Sequence, residues 1–129
     1  MKVITIFFLT IVFLISLIAP AQAQSWSCRN DLEIRCNSDE CTKSDGFTPM
    51  NISFEDSGSM QICAYTGCWE GFGTVLKSKN FAVVTGDDLP FSTNPTDKQD
   101  IVVAVDTKDN VGFVKVISFA HPFICKGKQ

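Results

Sequence analysis

Beyond residue 24, apolar residues recur at every second position in short runs separated by turn-forming residues. No stretch there carries the three- and four-residue spacing of a helical stripe. The chain therefore reads as all-β. Leu32-Glu33-Ile34-Arg35 sets Leu32 and Ile34 on one face, and Met50 to Phe54 sets Met50, Ile52 and Phe54 inward. Asp56-Ser57-Gly58-Ser59 turns the chain back into Met60 to Tyr65, whose Met60, Ile62 and Ala64 share a side, so the two runs predict an antiparallel hairpin. Gly71 and Gly73 interrupt the run from Trp69 to Lys77 and predict a bulge or close backbone approach where the sheet bends.

Phe81 to Thr85 reads as a short strand, and Gly86 to Gln99, with Asp87, Asp88, Pro90, Asn94 and Pro95, reads as a surface loop carrying the apolar pair Leu89 and Phe91. Ile101 to Val105 is apolar on both faces, as in a strand covered on two sides or one in a strongly coiled barrel. After a turn at Asp106 to Asn110, Val111, Phe113, Ile117 and Phe119 share one face of a further strand, Val114 and Val116 the other. Pro122 to Cys125 is a short last strand. About eight strands at short spacing predict a small antiparallel meander closed into a barrel or folded into a sandwich.

Before this domain, Lys2 precedes an apolar run from Val3 to Ala19, then Pro20 and Ala21-Gln22-Ala23. This is the layout of a secretory signal peptide cut after Ala23, which leaves 24–129 as a single β domain with no membrane span. A periplasmic or secreted location follows. All six cysteines lie beyond the cut, and an even number in a short exported chain predicts disulfides. Fifteen connectivities are possible for six cysteines. Cys36 and Cys41 are spaced identically to Cys63 and Cys68, each enclosing four turn-like residues, so each pair suits the mouth of a tight turn. Cys28 and Cys125 then remain to join the first strand to the last. A four-thiolate zinc site is the competing reading, and it belongs mainly to reducing compartments.

With Lys+Arg 11 against Asp+Glu 14, a net charge of -3 and no basic cluster, the chain lacks what nucleic-acid phosphates require. His121, the only histidine, sits in Ala120-His121-Pro122 without a nucleophile elbow and reads as structural or exposed. Paired disulfides leave no thiolate for Cys-His chemistry. The adjacent acids Asp39-Glu40 and Asp87-Asp88 read as solvated turn residues, and Asp106 to Gly112 as a hairpin turn lacking the ligand pattern of a calcium loop. Asn51-Ile52-Ser53 fits a glycosylation sequon, which has meaning only in a eukaryotic secretory route. No metal or cofactor is expected, and an enzyme is not expected.

The most distinctive patch is Cys63 to Gly71, where Tyr65, Trp69 and Glu70 meet a predicted disulfide; amphipathic aromatics held rigid lose little entropy on contact, and the competing reading is that Trp69 and Tyr65 cap the barrel core. Together with Trp26-Ser27-Cys28, Phe47 to Met50 and Phe119 to Cys125, the patch resembles a group of small exported bacterial proteins of unknown function. It is also similar to the periplasmic inhibitors of c-type lysozyme, small disulfide-linked β-barrels with a Tyr followed by Trp-x-Gly. In that resemblance Tyr65 and Trp69-Glu70-Gly71 occupy the matching positions, with a shorter Tyr-to-Trp spacing and four further cysteines.

These readings converge on an exported, non-catalytic binding or interaction protein. One form is an interaction module, such as an inhibitor of a secreted hydrolase, whose acidity suits a cationic partner. The other is a barrel that takes a small apolar ligand. Exposed Tyr65 and Trp69 would mark the first, and a void lined by Phe54, Val103 and Phe113 the second.

Overall fold

The structure, a computed structural model, describes residues 23–126. The predicted leader lies, apart from Ala23, outside the described residues. Eleven strands follow in order: β1 Ser25–Asn30, β2 Ile34–Cys36, β3 Cys41–Lys43, β4 Asn51–Glu55, β5 Ser59–Ala64, β6 Gly67–Phe72, β7 Thr74–Lys77, β8 Phe81–Phe91, β9 Asn94–Asp106, β10 Val111–Val116 and β11 Phe119–Lys126. Eight of them form one antiparallel sheet in the order β1-β4-β5-β6-β8-β9-β10-β11. Pairing of β1 with β11, Cys28 opposite Cys125, closes that sheet into a barrel and removes its free edges. Strand β7 continues β6 along β8, and β2 and β3 form a small hairpin appended to β11.

Alternation along each strand fills the interior, as it must in a barrel of eight strands. Trp26 and Cys28 of β1, Ile52 and Phe54 of β4, Met60 and Ile62 of β5, Ile101, Val103 and Val105 of β9, and Val114 and Val116 of β10 all face inward and are buried. Trp26 stacks on Phe54 with ring centroids 4.9 Å apart, and Trp69 meets Phe91 at 4.6 Å. The hairpin predicted from Met50 to Tyr65 is β4 and β5, in the register Ile52 to Ile62 and Phe54 to Met60.

Three disulfides, Cys28–Cys125, Cys36–Cys41 and Cys63–Cys68, staple the sheet, as a chain maturing in an oxidising compartment allows. The first welds the closing strands and the others cross the β2–β3 and β5–β6 hairpins. The bend expected near Gly71 and Gly73 falls at Gly73, between β6 and β7. A Cβ at Gly73 would lie 2.3 Å from the Thr85 carbonyl oxygen, so only glycine lets the two backbones approach here. Gly73 also donates its amide to the Gly58 carbonyl at 2.9 Å, and Gly58 turns the β4–β5 hairpin with a φ of 96°.

Three sequence expectations are corrected. The segment Gly86 to Gln99 is not an irregular loop, because β8 and β9 continue through it as a long hairpin. A bulge between Gly86 and Leu89 takes up the extra residue; there Asp88 adopts φ 52° and donates its amide to the Asp100 carboxylate at 2.9 Å. Leu89 and Phe91 are buried and hold the extension against the barrel, while Pro90 and Pro95 lie on exposed positions. The run Val111 to Phe119 is not one strand, since Ile117, at φ 55°, and Ser118 turn the chain and Phe119 starts β11. Glu33 lies inside, against the alternation that would turn it outward.

Candidate functional site

A groove of about 530 Å³ lies on the outside of the wall formed by β1, β4, β5 and β6. It runs between two rows of outward side chains fixed by strand register. Ser27, Ser53, Gln61 and Glu70 form one row, each opposite the next across paired strands. Ser25 opposite Glu55, and Ser59 opposite Phe72, form the other. The Gln61 amide donates to the Glu70 carboxylate at 2.9 Å, and the Ser57 hydroxyl donates to Glu55 at 2.9 Å. Phe72 is 79% exposed at the rim. No Lys or Arg is among the groove's lining residues, so its two carboxylates face solvent without a counter-charge in the groove itself. Such a surface can accept hydrogen bonds from cationic groups and cover an apolar stem with the Phe72 ring.

The three residues singled out in the sequence separate here. Glu70 lies in the groove. Tyr65, 76% exposed, stands at the tip of the β5–β6 hairpin, beyond the Cys63–Cys68 bridge. Trp69 is 7% exposed and faces the interior, because it alternates with Cys68 and Glu70 and pairs with the inward Ile62. It packs against Phe91 and does not share a surface with Tyr65. Phe72, two residues after Glu70, is the groove aromatic that the sequence reading passed over; its exposure follows from the same alternation that buries Trp69. The proposed ligand void is also taken apart by that alternation, since Phe54 and Val103 are core residues and Phe113 points outward.

A buried polar cluster closes one end of the barrel beneath the segment carrying β2 and β3. The Asn30 side chain accepts the Met50 amide proton at 2.7 Å and donates to the Thr48 carbonyl at 2.9 Å. Its Nδ2 lies 3.3 Å from His121 Nδ1. Glu33 accepts from the Ser44 hydroxyl at 2.9 Å and stands 3.9 Å from His121 Nδ1. His121, 1% exposed, is thus a core histidine, and its burial pushes the pKa below the ordinary imidazole value against the opposing pull of Glu33. The imidazole Nε2, the atom a general base would present to substrate, is itself buried. The cluster ties residues 31–49 to the barrel, and its signal is invisible in a sequence where His121 stands 91 residues from Asn30.

At the Asp106 to Asn110 turn, the Asp106 carboxylate accepts the Lys108 amide at 2.8 Å and Asn110 takes φ 57°, the work of a hairpin cap. Among the described residues no group of three or more His, Cys, Asp or Glu side chains is placed to share a metal ion, and no helix is long and apolar enough to cross a membrane. Comparison with protein-family models, with curated proteins and with solved structures found no match.

Proposed function

We propose that the chain is an exported, non-catalytic binding protein, working in the periplasm or outside the cell, that engages a cationic protein surface through the groove on β1, β4, β5 and β6. The observation that carries this reading is the groove's composition: Glu55 and Glu70 with no basic side chain in the lining, and Phe72 exposed at its rim. The overall charge of -3 adds long-range steering towards a cationic partner. Rigidity adds to it, since the Cys63–Cys68 bridge lies two register pairs beyond Gln61 and Glu70 and fixes the hairpin that presents them. A non-catalytic role is supported by the burial of His121. A secreted c-type lysozyme, strongly cationic, is the partner class that the resemblance to lysozyme inhibitors suggests; Glu70 lies at the variable position of the matching Trp69-Glu70-Gly71 segment.

The test is calorimetric titration of the protein with a c-type lysozyme at physiological ionic strength, alongside lysozyme activity. The variant Glu55→Gln/Glu70→Gln is expected to weaken binding by roughly tenfold or more, and Phe72→Ala by a similar factor. Asp45→Asn/Asp87→Asn removes the same charge from exposed positions outside the groove and is expected to change affinity by no more than about twofold. Absence of binding, or equal weakening by the two double variants, would overturn the assignment.

A further inference from the structure

The other half of the barrel wall carries a different surface. Across β7 to β11, register places Leu76, Val83, Ala104, Phe113 and Pro122 in one continuous outward row. A row on one side holds Thr85, Val102, Lys115 and Ala120, and a row on the other holds Phe81, Asp106, Val111 and Ile124. Leu76, Phe81, Val111, Phe113 and Ile124 are all exposed large hydrophobics, and Phe113, in the central row, is 45% exposed. A contiguous apolar face of this kind on a folded domain marks an interaction surface. Its only charged members are Asp106 and Lys115, one in each flanking row and on neighbouring strands.

We infer that this face is the interface of a homodimer. A two-fold axis lying along the central row leaves each strand over its own copy and exchanges the two flanking rows. Phe113 then packs on the partner's Phe113, and Val111 lies over the partner's Lys115. Asp106 comes within one strand spacing, about 4.8 Å laterally, of the partner's Lys115, and the reciprocal pair forms by symmetry. The lone acid and lone base of the face are thus mutually complementary in a second copy of the same chain. Asp106 caps its turn through Oδ1, and the Lys115 side chain is exposed, so both can serve the contact. Three rows over five strands span roughly 500 Å² of wall, and because a closed barrel curves away on either side, only the part around Phe113 on β9 and β10 and their neighbours faces the partner. The pair therefore buries less than about 1,000 Å² in all, the size of a weak, concentration-dependent contact. The polar groove lies on the opposite half of the wall and stays open in such a dimer.

The test is sedimentation velocity of the protein recovered from an exporting host, from about 1 μM to about 1 mM. Concentration-dependent dimerisation is expected. Phe113→Asp should weaken it at least tenfold, and Lys115→Glu several-fold by setting two acids against each other. Asp106→Asn added to Lys115→Glu keeps the turn acceptor and should recover part of the loss. Circular dichroism checks that each variant folds, and Lys115→Glu, an exposed change, serves if Phe113→Asp does not. A monomer at every concentration, or a dimer unmoved by both substitutions, would overturn the inference. Either result is independent of what the groove binds.

Discussion

Replacing both members of a disulfide by alanine should cost very different amounts at different places in this barrel. Cys28 and Cys125 are 97 residues apart, and Cys63 and Cys68 only five. Cross-linking restricts the unfolded chain in proportion to the logarithm of the loop closed, which gives about 4.7 kcal/mol for the long loop and about 2.2 kcal/mol for the short one. The native state widens the gap. Cys28 and Cys125 face the core and are buried, so Cys28→Ala/Cys125→Ala also removes packed sulfur atoms, whereas Cys63 and Cys68 are only half-buried. For a domain of this size each kcal/mol moves the melting temperature by about 5 °C, so we expect a drop of 20 °C or more (about 4–8 °C per kcal/mol) for the first variant. Cys63→Ala/Cys68→Ala should drop by about 10 °C by the same conversion. Thermal unfolding followed by circular dichroism, with the remaining bridges kept oxidised, reads both. Equal shifts for the two variants would refute the loop argument and mean that barrel closure does not depend on the first-to-last bridge.

Three further outcomes follow from the core. Because burial lowers the His121 pKa in the folded state, its neutral form contributes stability that is complete above about pH 6.5, the unfolded value, and declines as pH falls below it. The urea midpoint should therefore fall between pH 7 and pH 5, less steeply in His121→Phe, and an identical slope in that variant would contradict the burial argument; the Lys77-paired Asp56, whose pKa is lowered, titrates only at more acid pH. Asn30→Ala strands the buried Met50 amide and the Thr48 carbonyl and should cost about 1–3 kcal/mol in urea unfolding at pH 7.5. Gly73→Ala drives a Cβ into the Thr85 carbonyl and should cost about 1–3 kcal/mol or more, where an unchanged midpoint would show that β6 and β7 can separate from β8.

Period-two alternation made the barrel legible, because in a closed sheet burial follows directly from which way each side chain points. It reached the β4–β5 hairpin to within a residue at the strand ends. The cysteine spacing was informative for a related reason, since the two closely spaced pairs sit at directly opposed positions of hairpins. Alternation failed where long-range contacts decide. Leu89 and Phe91 are too few to announce a strand among Asp and Pro residues, yet their burial against Gly71 and Trp69 holds β8 in register past its bulge. Glu33 is buried because Ser44 and Thr48 come back over it, a closure that no local pattern encodes. Trp69 reads from sequence either as a rigid surface aromatic or as a cap on the barrel core, and the two-residue turn at Tyr65-Thr66 decides it by setting Trp69 opposite the inward Ile62 and Phe72 outside. The double-sided apolarity of Ile101 to Val105 was a true signal of a different kind: its second face is the outer wall on which Val102 and Ala104 lie.

The central claim is that the groove between the Glu70 and Phe72 rows is where this protein meets its partner. Hydrogen–deuterium exchange of the protein alone and in complex with a c-type lysozyme tests it most directly. Protection confined to the edges of the groove, at residues 59–61 and 70–72, with β9 and β10 unchanged beyond any self-association, is the predicted footprint. A footprint on the Tyr65 hairpin tip or on the Phe113 face, with 59–61 and 70–72 unprotected, would contradict the account.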